Sequence, residues 1–369
     1  METEKVKGVV CFFNSCKAWG GGEKWHLEMA CRLRDKGLRV LLCASPGSPL
    51  YKKGIEENLD VYPFKIGNLS FLNLFLYYEL NRFFRAKKVT HLIMNMSSDV
   101  KAAGRAAKKA GVKNIIYRRG SAIPIKNSTS NRYLFRKVIT RIIANSEETR
   151  RTILANNPDI FEKEKIHVIY NGIDLSEFYN EGIKKEENKE KNIVLGNAGR
   201  LEKQKHQKFL IELVSRLHQK GYKVKLKIAG TGRLENELKA TVDRLGLNSF
   251  VEFIGFTDNI KRFLSSVDIF VLSSLWEGFG FVLVEAHACG KPVIAFDVSS
   301  NPEIVNNGED GILVPPGDME AFAGAVEKMI NNPELRRRMG NKGKEKVFNK
   351  FDIEITTQKL IEFLAGLEK

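Results

Sequence analysis

The sequence has few cysteines and no long apolar run. Only five cysteines occur in 369 residues, and none form a Cys-x-x-Cys pair, which argues against a disulfide framework or a zinc site. The most apolar window, residues 71–84, is interrupted by polar side chains and falls short of the ~20 residues of a membrane-spanning helix. The start of the chain leads into an apolar strand pattern at 8–13 without the features of a signal peptide. We therefore expect a cytoplasmic protein with reduced thiols and no membrane span.

Acidic residues are scarce in one part of the chain. The net charge is +16, and residues 82–141 contain 16 Lys and Arg against a single acid, Asp99. All of the excess positive charge lies within residues 1–165. Such an asymmetry predicts an anionic partner for the first half of the chain. The length, 369 residues, predicts two domains rather than one.

A stretch rich in glycine and apolar residues, 274–296, organises the second half. It reads Ser-Leu-Trp-Glu-Gly-Phe-Gly-Phe-Val-Leu-Val-Glu-Ala-His-Ala-Cys-Gly-Lys-Pro-Val-Ile-Ala-Phe. The preceding apolar run, 267–273, predicts a buried strand, and 281–289 predicts a helix. Gly278 and Gly280 would let a ligand approach the backbone between them. Since helix N-termini at the carboxyl edge of an open α/β sheet bind anions, the turn predicts a phosphate site.

Two acids flank this turn, Glu277 and Glu285. Carboxylates repel phosphate, so we expect them to accept hydrogen bonds from hydroxyl groups beside it. A nucleoside diphosphate sugar carries hydroxyls at both ends, on the hexose and on the ribose. The pattern therefore favours a nucleotide-sugar site.

Together, the Glu-x7-Glu spacing, the Glu-Gly-Phe-Gly turn and the following Gly-Lys-Pro-Val-Ile-Ala resemble the signature of glycosyltransferase family 4, a retaining family. The resemblance covers nearly the whole chain. It implies an α/β GT-B fold, in which two Rossmann-like doubly wound parallel-sheet domains face each other across a cleft. It places the acceptor-binding domain at 1–170, completed by a C-terminal helix at 352–369 that crosses back to it, and the nucleotide-sugar domain at 171–351. The polar run 180–191 is expected to be a solvated linker or loop.

The resemblance also implies roles in the donor site. Arg200 and Lys205 match the bases that hold the departing diphosphate, Glu277 would contact the reacting hexose, and we take these three residues as catalytic. Glu285 would hold the ribose. The other donor-binding candidates are Gly278, Phe279, Gly280, Phe281, Val282, Gly20, Gly21, Gly230 and Phe256. No Asp-x-Asp pair ends a predicted strand of the second domain, so we expect no metal and no other cofactor.

Acceptor candidates lie in the first domain. The run Gly-Gly-Gly-Glu at 20–23 resembles the family's Gly-Gly-x-Glu element. Trp19 before it would either line the acceptor side or pack as a core or lid side chain. Arg118 and Arg119 end a predicted strand and suggest an acceptor with phosphate or carboxylate groups, unless they form a solvated basic turn. Many family members have a histidine near these arginines, and this sequence has none.

The aromatic segment 71–88 has two interpretations. It predicts either a buried helix of the first domain or an interfacial helix whose aromatic side chains enter a bilayer while its bases contact anionic headgroups.

The sequence thus predicts a retaining glycosyltransferase of cell-envelope glycan synthesis. We expect it to use a nucleoside diphosphate sugar, most simply a UDP-sugar. Its expected acceptor is an anionic glycan or glycolipid, lipid-linked or phosphorylated, and its expected location is the inner face of the cell membrane as a peripheral protein. A sugar-nucleotide epimerase of the same fold and a non-catalytic polyanion-binding protein are the alternatives. The bases form no nucleic-acid-binding motif, so nucleic acid is not an expected partner.

Overall fold

Two parallel sheets organise the chain. The computed structural model describes residues 6–179 and 192–367, so the predicted linker at 180–191 lies outside the described residues. The chain divides into two compact units. The second unit is Gly172–Ile353, and the residues before it and from Glu354 onward form the first. Each unit has one sheet with helices between successive strands. The predicted pair of Rossmann-like domains is confirmed.

The first unit contains a seven-stranded parallel sheet. Its strands are β1 (Val9–Asn14), β2 (Arg39–Ala44), β3 (Asp60–Pro63), β4 (Val89–Met94), β5 (Asn114–Arg119), β6 (Arg141–Ala144) and β7 (Ile166–Val168). Its helices up to β7 are α1 (Gly21–Asp35), α2 (Pro49–Glu56), α3 (Leu74–Ala86), α4 (Ser97–Asp99), α5 (Arg105–Ala110), α6 (Thr129–Tyr133) and α7 (Glu147–Leu154). The spatial order is β3-β2-β1-β4-β5-β6-β7, so the strand order reverses between β1 and β4.

The second unit contains a six-stranded parallel sheet of order β10-β9-β8-β11-β12-β13, which reverses between β8 and β11. Its strands are β8 (Ile193–Ala198), β9 (Val224–Ala229), β10 (Val251–Gly255), β11 (Ile269–Leu272), β12 (Val293–Phe296) and β13 (Gly311–Val314). The helices from β7 onward are α8 (Ser176–Tyr179), α9 (Gln207–Gln219), α10 (Glu235–Arg244), α11 (Ile260–Ser265), α12 (Phe281–Ala288), α13 (Asn301–Ile304), α14 (Met319–Asn331), α15 (Pro333–Lys350) and α16 (Ile353–Gly366).

The central strands are apolar and buried on both faces, which is why they form parallel sheets covered by helices. All six residues of β1 are buried, as are all four of β11. In an open α/β sheet, ligands bind beyond the carboxyl ends of the strands where the order reverses. The two candidate edges therefore lie after β1 and β4 and after β8 and β11.

The predicted helix at 71–84 differs from the observed one at its start. Residues Ser70–Leu72 form a 3₁₀ turn, and α3 begins after Asn73. The Asn73 side chain accepts a hydrogen bond from the Leu76 backbone N–H at 3.0 Å, so it caps the helix. Leu80 and Phe84 of α3 are buried, but Leu72, Leu74, Phe75 and Tyr78 are exposed together with Leu69. One face of the segment is thus buried, as the first interpretation expects, and the other carries exposed apolar side chains, which leaves the bilayer interpretation a prediction.

Helix α15 could not be predicted from an apolar pattern in the sequence. Its 18 residues carry few large apolar side chains, so it shows no clear apolar stripe. Gly340 and Gly343 allow close packing instead. A Cβ at 340 would lie 2.0 Å from the Gly290 carbonyl oxygen, and one at 343 would lie 2.0 Å from His287 Nδ1. The absence of side chains at these two glycines therefore allows the helix to pack closely against Gly290 and His287.

Helix α16 belongs to the first unit from Glu354 onward. Glu354 forms an ion pair with Arg32 of α1, and the Phe363 ring lies 4.8 Å from that of His167. No helix within residues 6–179 and 192–367 is both long and apolar enough to span a bilayer.

Candidate active site

The two loops at the reversal of the second sheet are joined by hydrogen bonds. Ser273, directly after β11, donates its hydroxyl to the backbone carbonyls of Lys205 and His206, each at 3.0 Å. The Gln204 side-chain amide donates to the Trp276 carbonyl at 2.7 Å. The loop after β8 and the loop after β11 therefore form one structure at the carboxyl edge.

A buried ion pair lies where these loops meet. The ammonium of Lys205 is 2.5 Å from a carboxylate oxygen of Glu277, and the two side chains are only 13% and 8% exposed. The stem of Lys205 lies across Gly199, where a Cβ would be 3.1 Å from Lys205 Cε. Removing one partner of such a pair leaves an uncompensated buried charge. Two of the three predicted catalytic side chains are thus brought together, and each depends on the other.

The turn that follows presents its backbone at the start of α12. Gly280 has φ +94°, a conformation that favours glycine, and no side chain caps the helix. Phe279 is only 3% exposed, and its carbonyl accepts a hydrogen bond from the Ser300 hydroxyl at 2.9 Å, so this predicted donor residue is held inside the turn. Phe281, Val282, Gly278 and Glu285 are half-buried.

The remaining predicted donor residues of this unit lie at the same edge. Arg200 follows β8 and is exposed. Gly230 follows β9, and a Cβ there would lie 2.0 Å from the Gly199 carbonyl oxygen, so only glycine fits this close approach. Phe256 follows β10 and is 74% exposed.

This edge can hold an anion. It combines one exposed and one paired cationic side chain with an uncapped helix N-terminus. A lysine ammonium has three donors, so Lys205 can contact a ligand oxygen while it keeps Glu277 as a partner.

In the first unit, the predicted glycine element opens α1. Gly20 precedes the helix and Gly21 is its first residue. Trp19 is 36% exposed, and the ammonium of Lys53 lies 5.4 Å from its ring centroid. It is therefore not the core tryptophan of this unit. That position is taken by Trp25 of α1, which is 1% exposed.

Two buried acids hold the segment after β1. Asn14 donates to Glu23 at 3.0 Å, and Ser15 donates its hydroxyl to Asp99 at 2.5 Å. Burial raises the pKa of Asp99 to about 7, although the hydrogen bonds from Ser15 oppose this shift. Sequence reasoning missed this contact. The one feature of the sequence that pointed to Asp99 is that it is the single acid in residues 82–141.

Arg118 does not occupy the exposed position expected for an acceptor contact. It is 2% exposed and donates to Asn95 at 2.9 Å and to Asn171 at 2.8 Å. Its guanidinium lies 4.6 Å from the Trp25 ring centroid. Burial lowers the pKa of Arg118 to about 10, so the side chain remains charged at neutral pH. It joins strand ends inside the unit and is committed to internal partners.

The neighbouring Arg119 lies in different surroundings from Arg118. It is half-buried and lines a cavity of about 210 Å³ beyond the carboxyl end of β5. It donates to the Tyr117 hydroxyl at 3.3 Å and to the Ile123 carbonyl. Its Nε is buried without a hydrogen-bond partner among the described residues.

A wider cavity, of about 830 Å³, opens at the amino-terminal edge of the first sheet. None of the predicted site residues lines it, and it lies at the wrong end of the strands for the ligands of such folds. We do not assign the active site to it.

Each of the two sheets has a glycine turn and a helix start where its strand order reverses. This arrangement defines a protein of the GT-B class. Two family models match the chain: Glycosyl transferases group 1 over residues 179–346 and Glycosyltransferase Family 4 over residues 19–177. Each half of the chain thus matches a glycosyltransferase model, and the predicted resemblance to glycosyltransferase family 4 is confirmed.

Its relatives include proteins named for cell-envelope polysaccharides. The capsular polysaccharide biosynthesis glycosyltransferase CapM of Staphylococcus aureus is 35% identical over 62% of this chain, but the match spans 63% of CapM, less than two thirds of its length. The lipopolysaccharide core biosynthesis glycosyltransferase LpsE of Rhizobium meliloti is 26% identical over 94% of this chain and 96% of its own. Among solved structures, the crystal structure of Anabaena HepE with UDP and glucose matches this fold with a TM-score of 0.84. The match covers 96% of this chain and 99% of HepE, with 22% sequence identity.

Proposed function

We propose that this protein is a retaining glycosyltransferase of cell-envelope glycan synthesis that uses a UDP-sugar donor. The observation that carries the proposal is the buried pair of Lys205 and Glu277 beside the uncapped start of α12. The names of CapM and LpsE support the envelope context, and the UDP bound to HepE supports the choice of nucleotide.

In this proposal the cationic edge drives departure of the nucleotide. Lys205, Arg200 and the backbone N–H groups at the start of α12 stabilise the negative charge that develops on the diphosphate. This electrostatic term is usually the largest in such catalysis. Glu277 keeps the Lys205 ammonium in place and accepts a hydrogen bond from the hexose, and Glu285 accepts one from the ribose. Because side chains and a helix end supply the positive charge, we propose that no metal is needed.

We further propose that the acceptor is an anionic, lipid-linked glycan and that the protein binds the inner membrane surface. The supporting observation is an apolar ridge formed by Leu69, Leu72, Leu74, Phe75 and Tyr78, which are 64–81% exposed. The ridge precedes the basic segment 82–141, and Arg85 donates to the Lys109 carbonyl at 3.3 Å, so the two are joined through α3 and α5. Apolar side chains beside bases suit an anionic bilayer.

The test is a donor screen followed by analysis of the product. We expect a UDP-sugar, rather than GDP- or ADP-sugars, to raise the melting temperature and to be turned over with EDTA present. NMR of the transferred sugar should show the anomeric configuration of the donor. A strict need for Mg²⁺ or Mn²⁺ would contradict metal independence, an inverted product would contradict retention, and epimerised donor without transfer would overturn the proposed activity.

A further inference from the structure

The cavity beside Arg119 has the composition of a phosphate site. Three bases contribute to its lining and no acid does, and each base comes from a different segment: Lys101 from the helical turn after α4, Arg119 from β5, and Lys126 from the following loop. Ser97 and Asn131 add polar groups at the wall. A group of bases with no carboxylate among them attracts an anion. Because these three bases line the same cavity, they can act on one anion together.

Arg119 is prepared for such a ligand. Of its five N–H donors, two have partners among the described residues, the Tyr117 hydroxyl and the Ile123 carbonyl. The buried Nε and the second hydrogen of each Nη have none. An anion with two adjacent oxygens would accept from the two Nη hydrogens that have no partner, in a bidentate contact. The two existing contacts hold the guanidinium in place for it.

The rest of the lining favours a phosphate attached to a larger molecule. Val100, Ile125 and Leu134 give the cavity apolar walls, where a charge contact is stronger than in water. The cavity also adjoins the apolar ridge. Lys101 lies 6.0 Å from the Phe71 ring centroid, and Phe71 is in the 3₁₀ turn that carries Leu72. A molecule with a phosphate in the cavity would therefore extend towards the ridge.

We propose that Arg119, Lys101 and Lys126 bind a phosphate group of the acceptor, so that the acceptor is a phosphate or diphosphate ester. This inference rests on the proposed function, because it identifies the chemistry of the acceptor for that reaction. The proposal also gives the two adjacent arginines different roles. Arg119 contacts the acceptor, whereas Arg118 keeps its internal partners.

Equilibrium titration of the full chain tests the proposal. The donor site is first saturated with UDP, and farnesyl diphosphate or glucose 1-phosphate is then added as a lipid-borne or sugar-borne phosphate. Arg119→Met, Lys101→Gln and Lys126→Gln should each weaken binding of at least one probe by about tenfold, the scale of one charge-assisted contact. Lys113→Gln is the matched control, because Lys113 is exposed and lies outside this cavity.

The two probes distinguish the source of the phosphate. Weakening confined to farnesyl diphosphate identifies a lipid phosphate, and weakening of glucose 1-phosphate binding identifies a phosphorylated saccharide. No weakening of either probe in any of the three variants overturns the proposal. UDP affinity, measured separately, should not change in these variants, so a failure of the donor site would be recognised on its own. Lys126 is exposed on a loop, so Lys126→Gln should fold even if Arg119→Met does not.

Discussion

At the scale of single residues, the signature acid and a base 72 positions earlier in the sequence form a buried ion pair. Glu277 and Lys205 share a 2.5 Å contact in a site where both side chains are largely removed from solvent. The loop contacts of Ser273 fix the backbone that carries Lys205. Substitutions of the two charges should therefore not act independently.

We expect Lys205→Ala to lower the transfer rate by about 10²-fold or more, the usual scale for one transition-state charge partner. Glu277→Gln should also lower the rate, because it removes the partner of a buried ammonium. The double variant should lose less than the product of the two single effects, since the first substitution already disrupts the pair. Steady-state kinetics on the four proteins measures this, with the exposed Lys203→Ala as control. Multiplicative losses would mean that the pair is not a functional unit.

A second prediction at this scale concerns Asp99. Burial raises its pKa from 3.8 to about 7, so the native state holds the proton more tightly than the unfolded chain does. The contribution of Asp99 to stability should therefore fall as pH rises from about 4 to 7 and then level off. Asp99→Asn does not titrate, so its melting temperature should rise relative to wild type between pH 5 and pH 8. A constant difference across this range would contradict the assignment.

At the scale of elements, glycine decides whether α15 can pack. A Cβ at Gly340 would lie 2.0 Å from a backbone oxygen, whereas one at Gly324 of α14 would have no neighbour within 4 Å. The same substitution should therefore have opposite signs in the two helices.

We expect Gly340→Ala to lower the free energy of unfolding by about 1–3 kcal/mol, the usual cost of overpacking. Gly324→Ala should raise it by about 0.5–1 kcal/mol, because alanine is the better helix former at an exposed interior position. Urea unfolding of both variants measures the two changes. A neutral Gly340→Ala would mean that α15 can move away from Gly290 at little cost.

At the scale of the whole molecule, charge is distributed unevenly along the chain. The net charge of +16 is confined to residues 1–165, and the apolar ridge belongs to the same unit. A bilayer would thus be contacted by the first unit.

We predict co-sedimentation with vesicles that contain anionic lipid and weak binding to neutral vesicles. Each base near the surface contributes about 1 kcal/mol, an attraction that salt screens. Phe75→Ser and Tyr78→Ser should weaken binding, because both side chains are exposed on the ridge. Ile55→Ser, at an exposed apolar residue elsewhere in this unit, should not. Equal binding to both vesicle types at low salt would remove the membrane role.

Much of the fold could be predicted from the sequence. Apolar runs of strand length alternate with amphipathic helices, and this periodicity alone indicates two parallel sheets. Helix α14 is an element that can be recognised in the sequence, because its apolar face and its Asp318 cap are local features. Helix α15 was missed since its packing surface consists of glycines, which add nothing to an apolar pattern.

The candidate site, like the fold, could be predicted only in part from the sequence. The glycine turn, Glu277 and Glu285 are recognisable from residue types and spacing, because backbone approach and charge are properties of the residues themselves, and Lys205 was indicated by the family resemblance. The pairing of Lys205 with Glu277 is a contact between two loops, and only the sheet brings those loops together.

Arg118 and Arg119 show most clearly what only the tertiary structure decided. Adjacent strand residues point to opposite faces, so one sequence motif places two identical side chains in different surroundings. Trp25, Asn95 and Asn171 enclose Arg118 on one face, whereas Arg119 opens into a cavity on the other. The sequence by itself determined that two cations end β5. Which of them remains available to a ligand was decided by the neighbours that folding places on each face.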